Sequence, residues 1–244
     1  MKLKATAASL LLLVVLWGAS ASAALTTTGT GGNLGFTMLN NTGDTSYVVD
    51  LGVDLATFRS APAAFSTNVL STINSALGTS LTDLSGYTWS VIGGVNNGTN
   101  LGYVGGFGNG TTPVGTGGNS SVLANQLNNL QNYWNLNSLT NDAASATSTD
   151  SGFWTLPNNW QGNFGGLSGA SLFSLVGISQ EAYEYFATGF DTFTANLLGG
   201  FNLDAAGNLT FSSAAPVPVP AAVWLFGSAM LGLVGFRKRQ TASA

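Results

Sequence analysis

Three aspartates in the first quarter of the chain have a spacing that could support metal chemistry. Asp50 and Asp54 lie four residues apart in a segment with the pattern of a strand, so their side chains should share one face. Together with Asp44 they could offer oxygen ligands to calcium. Because the chain has no D-x-[DN]-x-[DN]-G loop, the favoured interpretation is solvated or helix-capping carboxylates, and we assign no metal site.

A second pair of acids, Glu181 and Glu184, is spaced i, i+3 in a segment that we predict as a short helix over 178–186. Two carboxylates on one helix face could be the acid and the nucleophile or base of a glycosidase. Acidic residues in a first helical turn are also favoured by the helix dipole, and this is the preferred explanation. We therefore assign no catalytic residue and expect a protein that is not an enzyme.

Other candidate ligand-binding side chains are few. Arg59, the only basic residue of the body, is expected in an ion pair with a neighbouring aspartate. Four tryptophans could include a sugar-stacking platform, although tryptophan in a β-rich body is more often part of the core. These four are Trp89, Trp134, Trp154 and Trp160, of which the last two flank the loop-like sequence TLPNN.

The residue types that are missing exclude several chemistries. The chain has no cysteine and no histidine, which removes disulfides, thiolate and imidazole metal ligands, and both Ser-His-Asp and Cys-His catalysis. Its three lysines, Lys2, Lys4 and Lys238, all lie in the predicted targeting segments, so the body has no lysine base. We expect no cofactor.

The charge of the body excludes nucleic acid as a partner. Between residues 24 and 216 there is one basic residue against ten acidic ones, a net charge of −9, although the whole chain is at −4. Binding to phosphate backbones requires clustered Lys and Arg, and this surface would repel them. Polarity is carried by Asn, Thr, Ser and Gly instead, which suits contact with neutral polysaccharide.

The hydrophobic pattern along the chain predicts mainly strands, separated by turn-forming Asn and Gly. We predict strands over 34–39, 45–53, 87–92, 101–107, 171–176, 196–203 and 208–212. Helices are predicted over 63–77 and 178–186 and from Ser120 or Ser121, the last with Leu123, Leu127, Leu130 and Trp134 on one face. Loops are expected over 108–119 and 137–152.

These elements predict a mainly β fold. We expect a sandwich or jelly-roll-like body with two or three short helices, and an α+β fold is the alternative. About 190 residues suit a single domain with its own core.

The N-terminal residues have the pattern of a cleavable signal peptide over 1–23. Lys2 and Lys4 form a positive n-region, residues 10–17 form an apolar h-region, and Ala21-Ser22-Ala23 matches an A-x-A cleavage site. The mature chain should start at Ala24, and cleavage after Ala21 is the second choice.

A second targeting segment is predicted over 214–244, after a body domain at 24–213. A proline motif, Val217-Pro218-Val219-Pro220, precedes an uncharged apolar stretch at 221–236 and a basic stop formed by Arg237, Lys238 and Arg239. As a helix the apolar stretch would span roughly 24 Å, slightly less than a membrane core of about 30 Å. Under the positive-inside rule the basic stop stays cytoplasmic, so the body is exported.

Residues 217–239, VPVPAAVWLFGSAMLGLVGFRKR, resemble the sorting domain of PEP-CTERM proteins, in a VPVPAA-WLFGS variant. The resemblance implies an exported exosortase substrate of a Gram-negative bacterium that makes exopolysaccharide. Val219 stands where the family pattern has Glu, and this departure bears on the identity of the processing enzyme. The hairpin predicted over 196–212 also looks like the closing strand pair of many such proteins.

The resemblance implies a cell-surface or extracellular-matrix protein. Its partners would be signal peptidase, an exosortase-type sorting enzyme, the inner membrane during transit, and polysaccharide as the candidate partner of the body. The alternatives are a carbohydrate-binding module or glycosidase, and a self-associating matrix subunit.

Overall fold

The fold is described by a computed structural model over residues 25–27, 31–40, 42–97, 101–107, 120–137, 142–153, 173–189 and 192–214. The strands are β1 (Asn33–Leu39), β2 (Thr45–Asp54), β3 (Phe65–Asn68), β4 (Thr88–Asn96), β5 (Leu101–Phe107), β6 (Ala143–Thr147), β7 (Ser174–Leu175), β8 (Gln180–Gly189), β9 (Thr192–Leu203) and β10 (Asn208–Ser213). The helices are α1 (Leu55–Ser60), α2 (Val69–Leu77) and α3 (Ser120–Leu136). Contacts divide the chain into two compact units, Met1–Ser213 and Ala214–Ala244, and all these elements lie in the first.

The ten described strands form one curled antiparallel sheet, a half-barrel. Their order is β3-β10-β9-β8-β5-β4-β1-β2-β6, and β7 pairs with the start of β4 beside this path. The predicted mainly β class with two or three helices is confirmed. A sandwich or jelly roll divides its strands between two sheets, whereas the strands described here all belong to one.

Alternation along the strands gives the sheet two buried faces. In β1, Phe36 packs into one hydrophobic cluster, while its neighbour Thr37 bonds to the helix on the other side. The same alternation separates Val104 from Tyr103 in β5. We call the first side the phenylalanine face and the second the tyrosine face, after their most frequent aromatic residues: Phe36, Phe58, Phe65, Phe201 and Phe211 on one, and Tyr103, Tyr133, Tyr183 and Tyr185 on the other.

The two short helices α1 and α2 contribute side chains to the phenylalanine face. Phe58 of α1 meets Phe211 of β10 with ring centroids 4.7 Å apart, and Phe201 of β9 lies 5.1 Å from Phe211. From α2, Val69 and Ile73 are buried in the same cluster. Because burying each such side chain stabilises the fold by about 1.5–3 kcal/mol, this cluster fixes α1 and α2 against the sheet.

Helix α3 covers the tyrosine face, as the spacing of its apolar residues predicts. Leu127, Leu130 and Trp134 are buried, and Tyr133 shares a 3.0 Å hydrogen bond between its hydroxyl and Thr37 Oγ1. A glycine in β4 allows this approach, because a Cβ at Gly94 would lie 2.5 Å from Leu127 Cδ2. The strand predicted over 87–92 continues through Gly93 and Gly94 to Asn96 as β4.

The described N-terminal segment, residues 25–27, packs onto the same helix. Leu25 is buried in the tyrosine-face cluster, and Thr26 Oγ1 donates to Gln131 Oε1 at 3.0 Å. Thr27 donates to the same Gln131 oxygen through its backbone N–H and accepts from Asn96 N through its carbonyl. These residues therefore belong to the folded body.

Most predicted strands and hairpins are confirmed, together with α3 and the left-handed Gly78 (φ 65°) that ends α2. The helix predicted over 63–77 is wrong in its first part. Residues 65–68 pair as β3 with β10, and α2 begins where the Asn68 side chain accepts from Ser71 N at 2.7 Å. The loop predicted over 137–152 contains β6, and α1 was not predicted.

Candidate functional site

The paired-carboxylate site predicted at Glu181 and Glu184 is not formed. The predicted helix over 178–186 is wrong: this segment is β8, hydrogen-bonded to β5 and β9 on its two sides. Residues three apart in a strand project to opposite faces. Glu181 accordingly accepts from Tyr183 of the tyrosine face at 3.1 Å, whereas Glu184 lies on the phenylalanine face.

Glu184 is neutralised by Arg59, the basic residue of α1. Arg59 Nε donates to Glu184 Oε1 at 2.7 Å, and the two side chains are 28% and 15% exposed. The guanidinium carbon also lies 3.3 Å from the centre of the Phe186 ring. The prediction of a structural ion pair for Arg59 is confirmed, with a glutamate as the partner in place of an aspartate.

The three aspartates considered as calcium ligands are separated in the structure. Asp44 lies in the turn before β2, where Asn40 Nδ2 donates to it at 2.6 Å and this bond lowers its pKa. The six residues from Asp44 to Asp50 are extended and span about 20 Å. Asp54 caps α1 by accepting from Thr57 N at 2.7 Å. The capping interpretation therefore holds for Asp54, and Asp44 cannot share an ion with Asp50.

Asp50 differs from the other aspartates because it is buried and only half satisfied. It is 7% exposed, and its Oδ1 accepts from Asn33 Nδ2 and from Gly52 N, both at 2.8 Å. Its Oδ2 is buried without a hydrogen-bond partner. Burial raises the pKa of Asp50; the bonds from Gly52 and Asn33 oppose this rise, and the negative charge of Asp142 adds to it.

The sequence did not predict that Asp142 lies beside Asp50. Val49 and Ala143 are partners in the β2–β6 ladder, and Asp50 N donates to Asp142 O at 2.8 Å in the next position. Asp142 is exposed and has a left-handed backbone (φ 74°). Asp50, Asp142 and Asn33 therefore form a small polar site with two carboxylates, which we call the Asp50 site. No group of three or more acidic, histidine or cysteine residues suited to a metal occurs within the described ranges.

The tryptophans considered for sugar stacking are only partly described. Trp89 is fully buried on the phenylalanine face, with its Nε1 donating to Leu175 O at 3.2 Å, and Trp134 of α3 is 5% exposed on the tyrosine face. Neither presents a ring face to solvent, which agrees with the core interpretation. Trp154 and Trp160, the pair that flanks TLPNN, lie outside the described residues.

The sorting residues also lie outside the described ranges. This applies to Ala21 and Ala23 of the cleavage site, to the motif Val217, Pro218, Val219 and Pro220, and to Arg237, Lys238 and Arg239. None of the described helices combines the length and apolarity needed to cross a membrane. Comparisons with protein-family models, curated proteins and solved structures found no match.

Proposed function

We propose that this protein is exported to the cell surface or extracellular matrix of a Gram-negative bacterium, where its body is displayed. The observation that carries the proposal is the order of three features in residues 217–239: a proline motif, an uncharged apolar stretch and a basic cluster. This order resembles the PEP-CTERM sorting signal. A signal-peptide pattern over 1–23 supports the same route independently.

Each feature has a distinct physical role in this proposal. The apolar stretch at 221–236 partitions into the inner membrane, and the charges of Arg237, Lys238 and Arg239 hold its far end in the cytoplasm. Signal peptidase would cleave after Ala23, and an exosortase-type enzyme would act at the proline motif. The body would then remain at the envelope surface or in the matrix.

The boundaries of the folded body support this division. Leu25 and Thr27 are packed into the body one to three residues after the predicted mature start, and β10 ends at Ser213, four residues before Val217. In sequence, both predicted cleavage regions therefore fall outside the span of the described strands. Processing there would leave the contacts of the described strands intact.

Several acidic residues of the body have structural roles, and this favours a displayed surface protein over a hydrolase. Glu184 is held by Arg59, Asp54 caps a helix, and Asp204 accepts from Asn208 N at 2.8 Å in the β9–β10 turn. Glu181, on the opposite face of β8 from Glu184, cannot act with it on one glycosidic bond. We therefore propose a non-enzymatic role, with neutral polysaccharide as the partner of a surface rich in Asn, Ser, Thr and Gly.

Cell fractionation tests this proposal. The wild-type body should be recovered from the envelope, whereas replacing Arg237, Lys238 and Arg239 with Ser should reduce its membrane retention and correct orientation. A control with Arg237→Lys and Arg239→Lys keeps the charge and should behave like wild type. Recovery of the wild-type protein from the cytoplasm, with residues 1–23 still attached, would contradict the proposal.

A further inference from the structure

We propose that the Asp50 site binds a divalent cation, with calcium as the best fit, through oxygen atoms of Asp50, Asp142 and Asn33. This site lies at the junction of β1, β2 and β6, and the argument for it is independent of the sorting segments. Three features support it: an unpartnered buried oxygen, an opposed second carboxylate, and a neutral amide oxygen beside them.

The first feature is Asp50 Oδ2. The carboxylate is fixed by two hydrogen bonds to Oδ1, from Asn33 Nδ2 and Gly52 N, so it is not free to turn its other oxygen to solvent. Asp50 is only 7% exposed, and its Oδ2 accepts no hydrogen bond. Native proteins rarely leave such an acceptor without a partner, and a bound ion is one way to satisfy it.

The second feature is the charge of Asp142 directly across the ladder. The negative charge of Asp142 disfavours the ionised form of the Asp50 carboxylate and adds to the effect of its burial. The side chain of Asp142 makes no hydrogen bond or ion pair with the described residues, and it is exposed. Arg59 cannot neutralise the pair, because this sole basic residue of the body is held by Glu184. A divalent cation would convert this repulsion into attraction.

The third feature is the amide of Asn33. Asn33 is 4% exposed and uses Nδ2 to donate to Asp50, which leaves Oδ1 as its free acceptor within the described residues. The register of the β1–β2 pair shifts between Asn33 and Gly35, and this irregularity lies beside Asp50, the partner of Gly35. Carboxylate and amide oxygens are the donors that calcium prefers.

The donor set also favours calcium over other ions. Calcium accepts irregular sets of six to eight oxygens completed by water, whereas magnesium requires near-octahedral geometry. The absence of histidine and cysteine removes the nitrogen and sulfur donors that favour zinc or copper. With two carboxylates and one amide the site should be weak, with a dissociation constant on the order of 10⁻⁴ to 10⁻³ M.

Terbium luminescence tests the site in the full chain, purified in detergent. A Cβ at Gly35, the cross-strand partner of Asp50, would lie 3.4 Å from Trp134 Nε1, so Trp134 is placed to sensitise a bound terbium ion. We expect saturable luminescence that excess calcium displaces, together with a calcium-dependent rise in Tm. Excess magnesium should displace terbium much less effectively.

Two isosteric variants and a matched control make the test specific. Asp142→Asn should weaken calcium binding about tenfold or more, since it removes one of two charges while Asn tolerates the left-handed backbone. Asp50→Asn should do the same. Asp204→Asn, which removes an exposed carboxylate in the β9–β10 turn, should leave binding unchanged.

The outcomes separate clearly. Loss in both Asp50→Asn and Asp142→Asn, with retention in Asp204→Asn, supports the site. If Asp50→Asn does not fold, Asp142→Asn decides alone, because its side chain is exposed. Equal calcium affinity in wild type and Asp142→Asn, or no calcium effect on either luminescence or Tm, would overturn the proposal.

Discussion

Two carboxylates at different places in the sheet, Glu184 on β8 and Asp50 on β2, have opposite environments. Glu184 faces the Arg59 guanidinium, which also lies over the Phe186 ring, and its charge is balanced inside the fold. Asp50 is more buried, has no cation near it in the described part of the chain, and lies opposite a second acid, Asp142. The difference teaches that burial alone does not identify a binding group. The carboxylate that a cationic ligand could neutralise is the one without an ion-pair partner, Asp50.

The largest expected effect comes from breaking the balanced pair. Arg59→Met should destabilise the fold by about 1–3 kcal/mol, because it leaves Glu184 partly buried without its cation. This is below the cost for a fully buried pair, since both side chains retain solvent contact. Chemical denaturation measures the change.

The matched control is the double variant Arg59→Met with Glu184→Gln. It should recover part of the loss, with a coupling energy of about 1 kcal/mol in a double-mutant cycle. Strict additivity of the two single changes would show that the pair contributes nothing beyond packing.

A smaller effect on stability is expected at Asp50. Here the charged form of the carboxylate destabilises the fold, whereas the charge of Glu184 is balanced by Arg59. Because the pKa of Asp50 is raised in the folded state from the ordinary value of 3.8, mainly by burial, the native protein holds this proton more tightly than the unfolded chain. Stability should therefore fall as pH rises from the unfolded pKa through the folded one. The loss should persist at neutral pH and be absent in Asp50→Asn.

Thermal unfolding from pH 4 to 8, with a chelator present, checks this sign. Asp44, Asp83, Asp150 and Asp204 have lowered pKa values and contribute the reverse trend, but they are common to both proteins and cancel in the difference. Calcium should reduce the difference at neutral pH. A wild-type protein that gains stability over Asp50→Asn as pH rises without calcium would contradict the assignment.

The smallest effect is expected at Glu181, three residues from Glu184 but on the other face. Glu181→Gln should change the free energy of unfolding by no more than about 0.5 kcal/mol, because the amide oxygen can still accept from the Tyr183 hydroxyl. Neither wild type nor this variant should release reducing ends from neutral polysaccharides. Turnover that Glu181→Gln or Glu184→Gln abolishes would make a glycosidase the first explanation.

The sequence predicted elements where local signals were strong. Helix α3 follows from the spacing of Leu127, Leu130 and Trp134, and the β4–β5 hairpin follows from strand-forming residues around an Asn-Gly turn. The start of α2 had a readable signal as well, because Asn68 is a good N-cap residue. We placed the start six residues earlier than α2 begins, by treating Phe65 as part of the helical face.

The remaining elements depend on partners distant in sequence. Strand β8 reads as helix because Glu181 and Glu184, three residues apart, suit the first turn of a helix. Its pairing with β5 and β9 outweighs that preference. Strand β6 has little strand character of its own and forms against β2. The Asp50 site was missed for the same reason, because Asp142 is brought to Asp50 only by this pairing.

The central claim, that the body is delivered outside the cell between two processed segments, is tested most directly by intact-mass analysis of the protein recovered from the host envelope. The measured mass should lack residues 1–23 and the apolar stretch with Arg237, Lys238 and Arg239. Recovery of all 244 residues from the mature envelope would contradict it.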